Sequence, residues 1–242
     1  MKTYFQIFDA IPAKGITEQV SNAILRTNVG RSNHIIEGNV DGTRDGLNFE
    51  VVRGGIVTPV NKISSLVERF FDSLYKRGIA NPNSKLKPDE LEKKGRGRRT
   101  CARIFIGGSK ERMRELAFGD QQVSDAPGAN NSHVIRSTDI EQWAVDMYNF
   151  MVKVYGEDNI VAFVVHLDQK NPGEVCVVLP VTEQNKLSWH MTFGHTIPEF
   201  QQKMSHIHDE LAEVNKKYGL QRGMSKAVSI AHRTRNGFIR KN

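Results

Sequence analysis

The chain has 242 residues, of which 38% are apolar and 25% charged, with a formal net charge of +7. That apolar content suffices for one large packed core or two small ones, so the chain is expected to fold unaided. No apolar run approaches the roughly 18 residues needed to span a bilayer and Met1 opens into mixed polar sequence, which predicts neither insertion nor export but a cytoplasmic protein. The only two cysteines, Cys101 and Cys176, lie beside apolar strand-like segments and are expected to stay reduced, which excludes a disulfide scaffold and a Cys-pair metal site.

Taken in order, Lys2 to Ile11 alternates Tyr4, Gln6 and Phe8 with Phe5 and Ile7 and reads as a first strand. Tyr4 suits a strand aromatic packed in the core better than a nucleophile. Thr17 caps a short helix with Val20, Ile24 and Leu25 on one face, whose end delivers Arg26, Thr27, Asn28 and Arg31. Residues 28 to 48 are rich in Gly, Asn and Asp, as in an ordered surface loop. There Arg31, Arg44 and Asn48 are suited either to nucleic-acid contacts or to stabilising turns.

Between Asn61 and Gly78, the spacing of Ile63, Leu66, Val67, Phe70, Phe71 and Leu74 predicts a helix with an apolar, core-facing stripe. Residues 80–99 cannot bury much and read as a mobile basic loop, with Arg96, Arg98 and Arg99 as candidate nucleic-acid contacts. A strand from Thr100 to Ile106, a short basic helix opened by Ser109 and a polar loop over 119–136 follow. Thr138 and Glu141 form a predicted capping box for an amphipathic helix that stops at Gly156. Trp189, His190 and His195 fall in a turn-rich segment. A last long helix starts at Thr196 with Pro198 just inside it, carries Phe200, Met204, Ile207 and Leu211 on one face, and ends before Gly219.

Ile160 to Thr182 is the informative stretch: two Val-rich runs separated by a turn containing Asn171, Pro172 and Gly173 predict a pair of central strands. His166 and Asp168 share a face by the two-residue period, and a hairpin could gather His166, Asp168, Gln169 and Glu174 into a cation site. The alternative is a strand end whose polar groups meet water and the turn backbone. Strands and helices in this sequence predict an α+β fold, one antiparallel sheet with helices packed mainly on one face.

Charge is unevenly placed. Residues 85–114 hold eleven Lys or Arg against four acids, and residues 216–242 hold eight against none, leaving the remainder net acidic. Such clustering suits a polyanion partner, because contiguous cations displace counterions from phosphates; a solubilising tail is the alternative for the C-terminal run. The domain is expected to span 1–223, with 224–242 as a basic tail.

The order His166, Asp168, Gln169, Pro172, with a following strand ending Leu179-Pro180-Val181-Thr182 and then Leu187-Ser188, resembles the His-x-Asp-Glu-x-x-Pro-His metal motif of the Mob/Pre (MobV) plasmid mobilisation relaxases of the HUH class. Arg44, Leu47, Asn48 and Phe49 resemble that family's Arg-x-x-Leu-Asn-Tyr stretch, and Gly219 to Gly223 its segment after the last helix. The resemblance implies an antiparallel sheet holding the site, a divalent metal (Mn or Mg), and nicking of single-stranded or hairpin DNA at a transfer origin beside other mobilisation proteins in conjugation or plasmid recombination. It also implies metal ligation at His166 with Gln169 or Glu174, because Gln169 replaces the usual Glu and Gly173 the usual His. Thr27-Asn28 stands where the family has its His-Asn nucleophile, and His34 could substitute only if the loop folds back, so no catalytic residue is assigned. A catalytically degenerate DNA-binding protein, and an RNA-binding or protein-interaction module, are the alternative functions.

Overall fold

The computed structural model describes residues 2–27, 39–87, 90, 95–126 and 128–223. Seven strands form one sheet in the order β3-β2-β5-β6-β4-β1-β7. They are β1 (Tyr4–Ala13), β2 (Phe49–Val52), β3 (Ile56–Pro59), β4 (Cys101–Gly108), β5 (Ile160–His166), β6 (Gly173–Val178) and β7 (Leu220–Gln221). Every pairing is antiparallel except β1 with β7. The helices are α1 (Glu18–Leu25), α2 (Leu66–Lys76), α3 (Lys110–Phe118), α4 (Thr138–Tyr155), α5 (Trp189–Phe193) and α6 (Ile197–Asn215).

Side chains alternate across each strand, so the sheet has two apolar faces and the helices divide between them. The larger core lies under α3, α4 and α6, where Trp143, Met147 and Leu211 meet Ile104, Phe163 and Cys176 from the sheet. On the other face, Ile24 and Leu25 of α1 and Leu66, Phe70 and Leu74 of α2 cover Val164, Val175 and Val177. Helices therefore lie mainly on one side, with a thinner second layer opposite. Cys101 and Cys176 are free buried thiols, and burial pushes the Cys101 pKa up to about 12.

Several expectations shift. The hairpin of β2 and β3, which turns at Gly54 and Gly55 with φ of 79° and 74°, is additional to the strands read from sequence. α2 starts only at Leu66, behind a capping box of Ser65 and Glu68, because Asn61 Oδ1 already accepts from the Ile63 and Ser64 amides in a preceding turn. Ile63 is thereby 97% exposed, and Phe71, expected in the core, is 48% exposed. The cap of α4 is Ser137 rather than Thr138. Trp189 begins a short helix. No helix among the described residues is long and apolar enough to cross a membrane. The tail 224–242 lies outside the described residues.

Candidate functional site

The register of three central strands sets the geometry of the site. His166 stands opposite Gly173, Gly173 opposite Gly107, and Gly107 opposite Ile7, all on the α1 face of the sheet. Beyond β5 the chain continues through Leu167, Asp168 and Gln169, which cross the end of α1 and the turn before β2.

His166, the Asp168 carboxylate and the backbone of that crossing are held by protein. The His166 Nε2 lies 2.7 Å from the Ile24 carbonyl at the end of α1. A carbonyl only accepts, so Nε2 carries the proton and Nδ1 is the one ring nitrogen with which His166 could ligate. Arg26 meets Asp168 in a two-pronged ion pair, Nε to Oδ2 at 2.7 Å and Nη2 to Oδ1 at 3.2 Å. Both side chains are buried, at 2% and 0% exposure. Burial raises the Asp168 pKa, but the hydrogen bonds and charge of Arg26, with His166 adding to them, outweigh it and hold the carboxyl below its ordinary value.

Asn48 accepts the Leu167 and Asp168 amides at 2.7 and 3.1 Å. Arg44 donates to the carbonyls of Leu167 and Gln169 and, through Nε, to Asp41 at 2.9 Å, while its guanidinium lies 5.2 Å from the Phe118 ring. Arg44 and Asn48 are 2% and 5% exposed. Both were expected to contact nucleic acid. They are corrected to structural clamps, because a guanidinium and an amide so enclosed have no surface left to offer a phosphate. Arg31 and His34 lie outside the described residues, as does Asn28. The Thr27 hydroxyl is buried with no hydrogen-bond partner among the described residues, so no base is bonded to it there.

Glu174 requires the main correction. It pairs with Val165 and Ile106, one residue out of step with His166, and therefore points into the α4 side of the sheet. Its carboxylate oxygens are buried without a partner among the described residues, and burial raises its pKa well above the usual range, which favours a neutral acid. It cannot share an ion with His166.

A metal is implied by the family resemblance, and the described residues do not fit one. Gly173 brings no donor, and a Cβ there would lie 3.1 Å from the Ile106 carbonyl. Asp168 is engaged by Arg26, and Gln169 offers only a neutral amide. Among the described residues no group of three or more His, Cys, Asp or Glu could hold a metal ion.

At the other end of the central strands, Ala102 stands opposite Val178. Five residues separate that level from Gly107, roughly 17 Å at 3.3 Å per residue. There Arg96, Arg98 and Arg99 are exposed. Asn83 pins this loop: its Nδ2 donates to the Lys14 and Arg98 carbonyls at 2.6 and 2.7 Å, and its Oδ1 accepts the Arg98 amide at 2.8 Å. Arg99 rests over the Trp189 ring at 5.3 Å. Arg96 and Arg98 make no ion pair among the described residues.

Sequence reasoning missed Arg26 as a partner of Asp168, and also the β1 edge of the α1 face. There Phe5, Ile7 and Ile11 are 45%, 41% and 37% exposed. The alternation of Phe5, Ile7 and Ile11 against the buried Gln6 and Ala10 was the available signal.

Residues 131–238 match the protein family described as plasmid recombination enzyme, Mob_Pre. A plasmid recombination enzyme type 3 of Staphylococcus aureus is 30% identical over 95 residues, 38% of this chain and 22% of that protein, so the chain spans about a fifth of that relative's length. Among solved structures, the Mn-bound MobM relaxase domain with a 22-nucleotide pMV158 oriT DNA superposes with a TM-score of 0.62 at 18% identity, over 95% of this chain and 98% of that one. A complex with 23 nucleotides gives 0.60 at 17% identity, over 97% and 100%.

Proposed function

We propose that this chain, which belongs with the Mob/Pre plasmid recombination enzymes, is a relaxase-like domain that holds transfer-origin DNA as a single strand without metal-assisted nicking. The observation that carries the second half is the opposite placement of His166 and Glu174 on the sheet. Glu174 was the one acidic residue able to restore the ligand set, and strand parity removes it.

The DNA half rests on the fold, the charge distribution and the sheet face beside His166. Gly173, half-buried on that face, carries no side chain, so a sugar–phosphate backbone can approach its strand closely. Phe5, 45% exposed, offers a ring on which bases of any sequence stack. Arg103, on the same face, makes no ion pair among the described residues, and its Nε is buried without a partner. The exposed Arg96 and Arg98, at the far end of the strands, extend the footprint along a single strand several nucleotides long.

The test is a denaturing gel of end-labelled single-stranded DNA from the neighbourhood of the gene, incubated with Mn²⁺ or Mg²⁺. Uncut DNA and no covalent adduct are expected. A metal-dependent adduct that disappears in His166→Ala would overturn the non-cleaving reading.

A further inference from the structure

We infer that Arg26 is the resident cation of the His166 corner: its guanidinium neutralises Asp168 from inside the fold, in the position of influence that a divalent ion would hold, so the corner assembles without metal. This deepens the reading of that corner as a relaxase-type site and rests on it.

The backbone is the first support. Arg26 ends α1 with φ 55° and ψ 42°, the left-handed conformation that an L residue with a long side chain seldom adopts and that Gly or Asn usually fills at a helix end. A strained Arg at this place is retained by what its side chain gains. From that conformation the guanidinium turns inward, bonds the Ala23 carbonyl and spans both oxygens of Asp168. The last carbonyls of a helix carry partial negative charge, so a cation bonded to both the Ala23 carbonyl and Asp168 is favoured twice over.

Chemistry is the second support. A carboxylate with 0% exposure cannot stay ionised without a bonded cation, and planar two-pronged geometry suits guanidinium rather than a point charge. With Arg26 in place, an ion at His166 would add two further positive charges beside an existing one and would find neither a free carboxylate nor a donor at Gly173. Arg26 is thus a positioning residue: it fixes the Asp168 crossing against α1 and excludes metal from it.

Mn²⁺ alone is the probe, followed by its six-line electron paramagnetic resonance signal and by thermal melting. Wild-type protein should leave the free-ion signal undiminished and melt at the same temperature in EDTA as in excess Mn²⁺. Arg26→Gln removes the charge while keeping much of the side chain. It should melt several degrees lower, and added Mn²⁺ should recover part of that loss while about one ion per chain leaves the free signal. Arg26→Lys keeps the charge and should stay indifferent to Mn²⁺, which secures the test if the Gln variant does not fold. Depletion of the signal by wild type or by Arg26→Lys would overturn the inference, as would a folded Arg26→Gln that ignores Mn²⁺. Mn²⁺ binding by wild type leaves the DNA-holding reading untouched, whereas loss of DNA binding with these Mn²⁺ results intact would count against that reading alone.

Discussion

The two ends of the central strands treat positive charge in opposite ways. At the His166 end, Arg26 and Arg44 are buried and consumed by Asp168, Asp41 and backbone carbonyls. About 17 Å away along the strands, Arg96 and Arg98 stand exposed and make no ion pair among the described residues. Arginine count alone would make both ends DNA contacts. Burial separates them: an enclosed guanidinium is a strut, and only the solvated one remains available to a phosphate.

Substitutions at each end should separate accordingly. Arg44→Ala leaves Asp41 and two carbonyls without their donor and should cost roughly 2–4 kcal/mol in denaturant unfolding, with little change in the salt slope of DNA binding. Stability unchanged in that variant would return Arg44 to the list of DNA contacts. Glu174 sharpens the picture from the other face. Its pKa is raised in the fold, so the folded state retains a proton that the unfolded chain releases above about pH 4.5. The contribution of Glu174 to stability is therefore greatest below that pH and falls as pH rises from it towards the folded pKa. Glu174→Met, similar in volume and apolar, should stabilise the protein by about 1–3 kcal/mol at neutral pH and remove that slope. A destabilised variant would mean that the carboxyl has a partner after all. The smallest effect belongs to Arg96, Arg98 and Arg99 changed together to Ala. Stability should hold, and the salt slope of DNA binding should drop by about two to three, the lower figure because Arg99 already rests on Trp189. An unchanged slope would remove this loop from the footprint.

Much of the fold was legible because its signals are local. The Val-rich runs around Pro172 gave β5 and β6, Thr17 gave the start of α1, and helical periodicity with Gly156 as a stop gave α4. The hairpin of β2 and β3 was missed because Glu50 interrupts a very short apolar run, although Gly54-Gly55 between two such runs was a hairpin signal. The site was less legible, since its geometry depends on register and on partners distant in sequence. One residue of register decides which face Glu174 occupies, and the sequence carries no mark of it. Arg26 and Asp168 lie 142 residues apart, and nothing in either neighbourhood names the other. Arg44 and Asn48 looked like DNA contacts because a polar loop was expected to be a surface loop, whereas these two side chains are buried, Asn48 on the Leu167 amide and Arg44 against the Phe118 ring.

The central claim, that this domain holds a DNA strand with a corner built around a guanidinium, is tested most directly by fluorescence anisotropy of a labelled single-stranded transfer-origin oligonucleotide. Titrations in EDTA and in Mn²⁺ would be run beside RNA of the same sequence. The account predicts tight, salt-dependent DNA binding with the same Kd in EDTA and in Mn²⁺, and weaker binding to RNA. Binding that requires Mn²⁺, or that favours RNA, would contradict it.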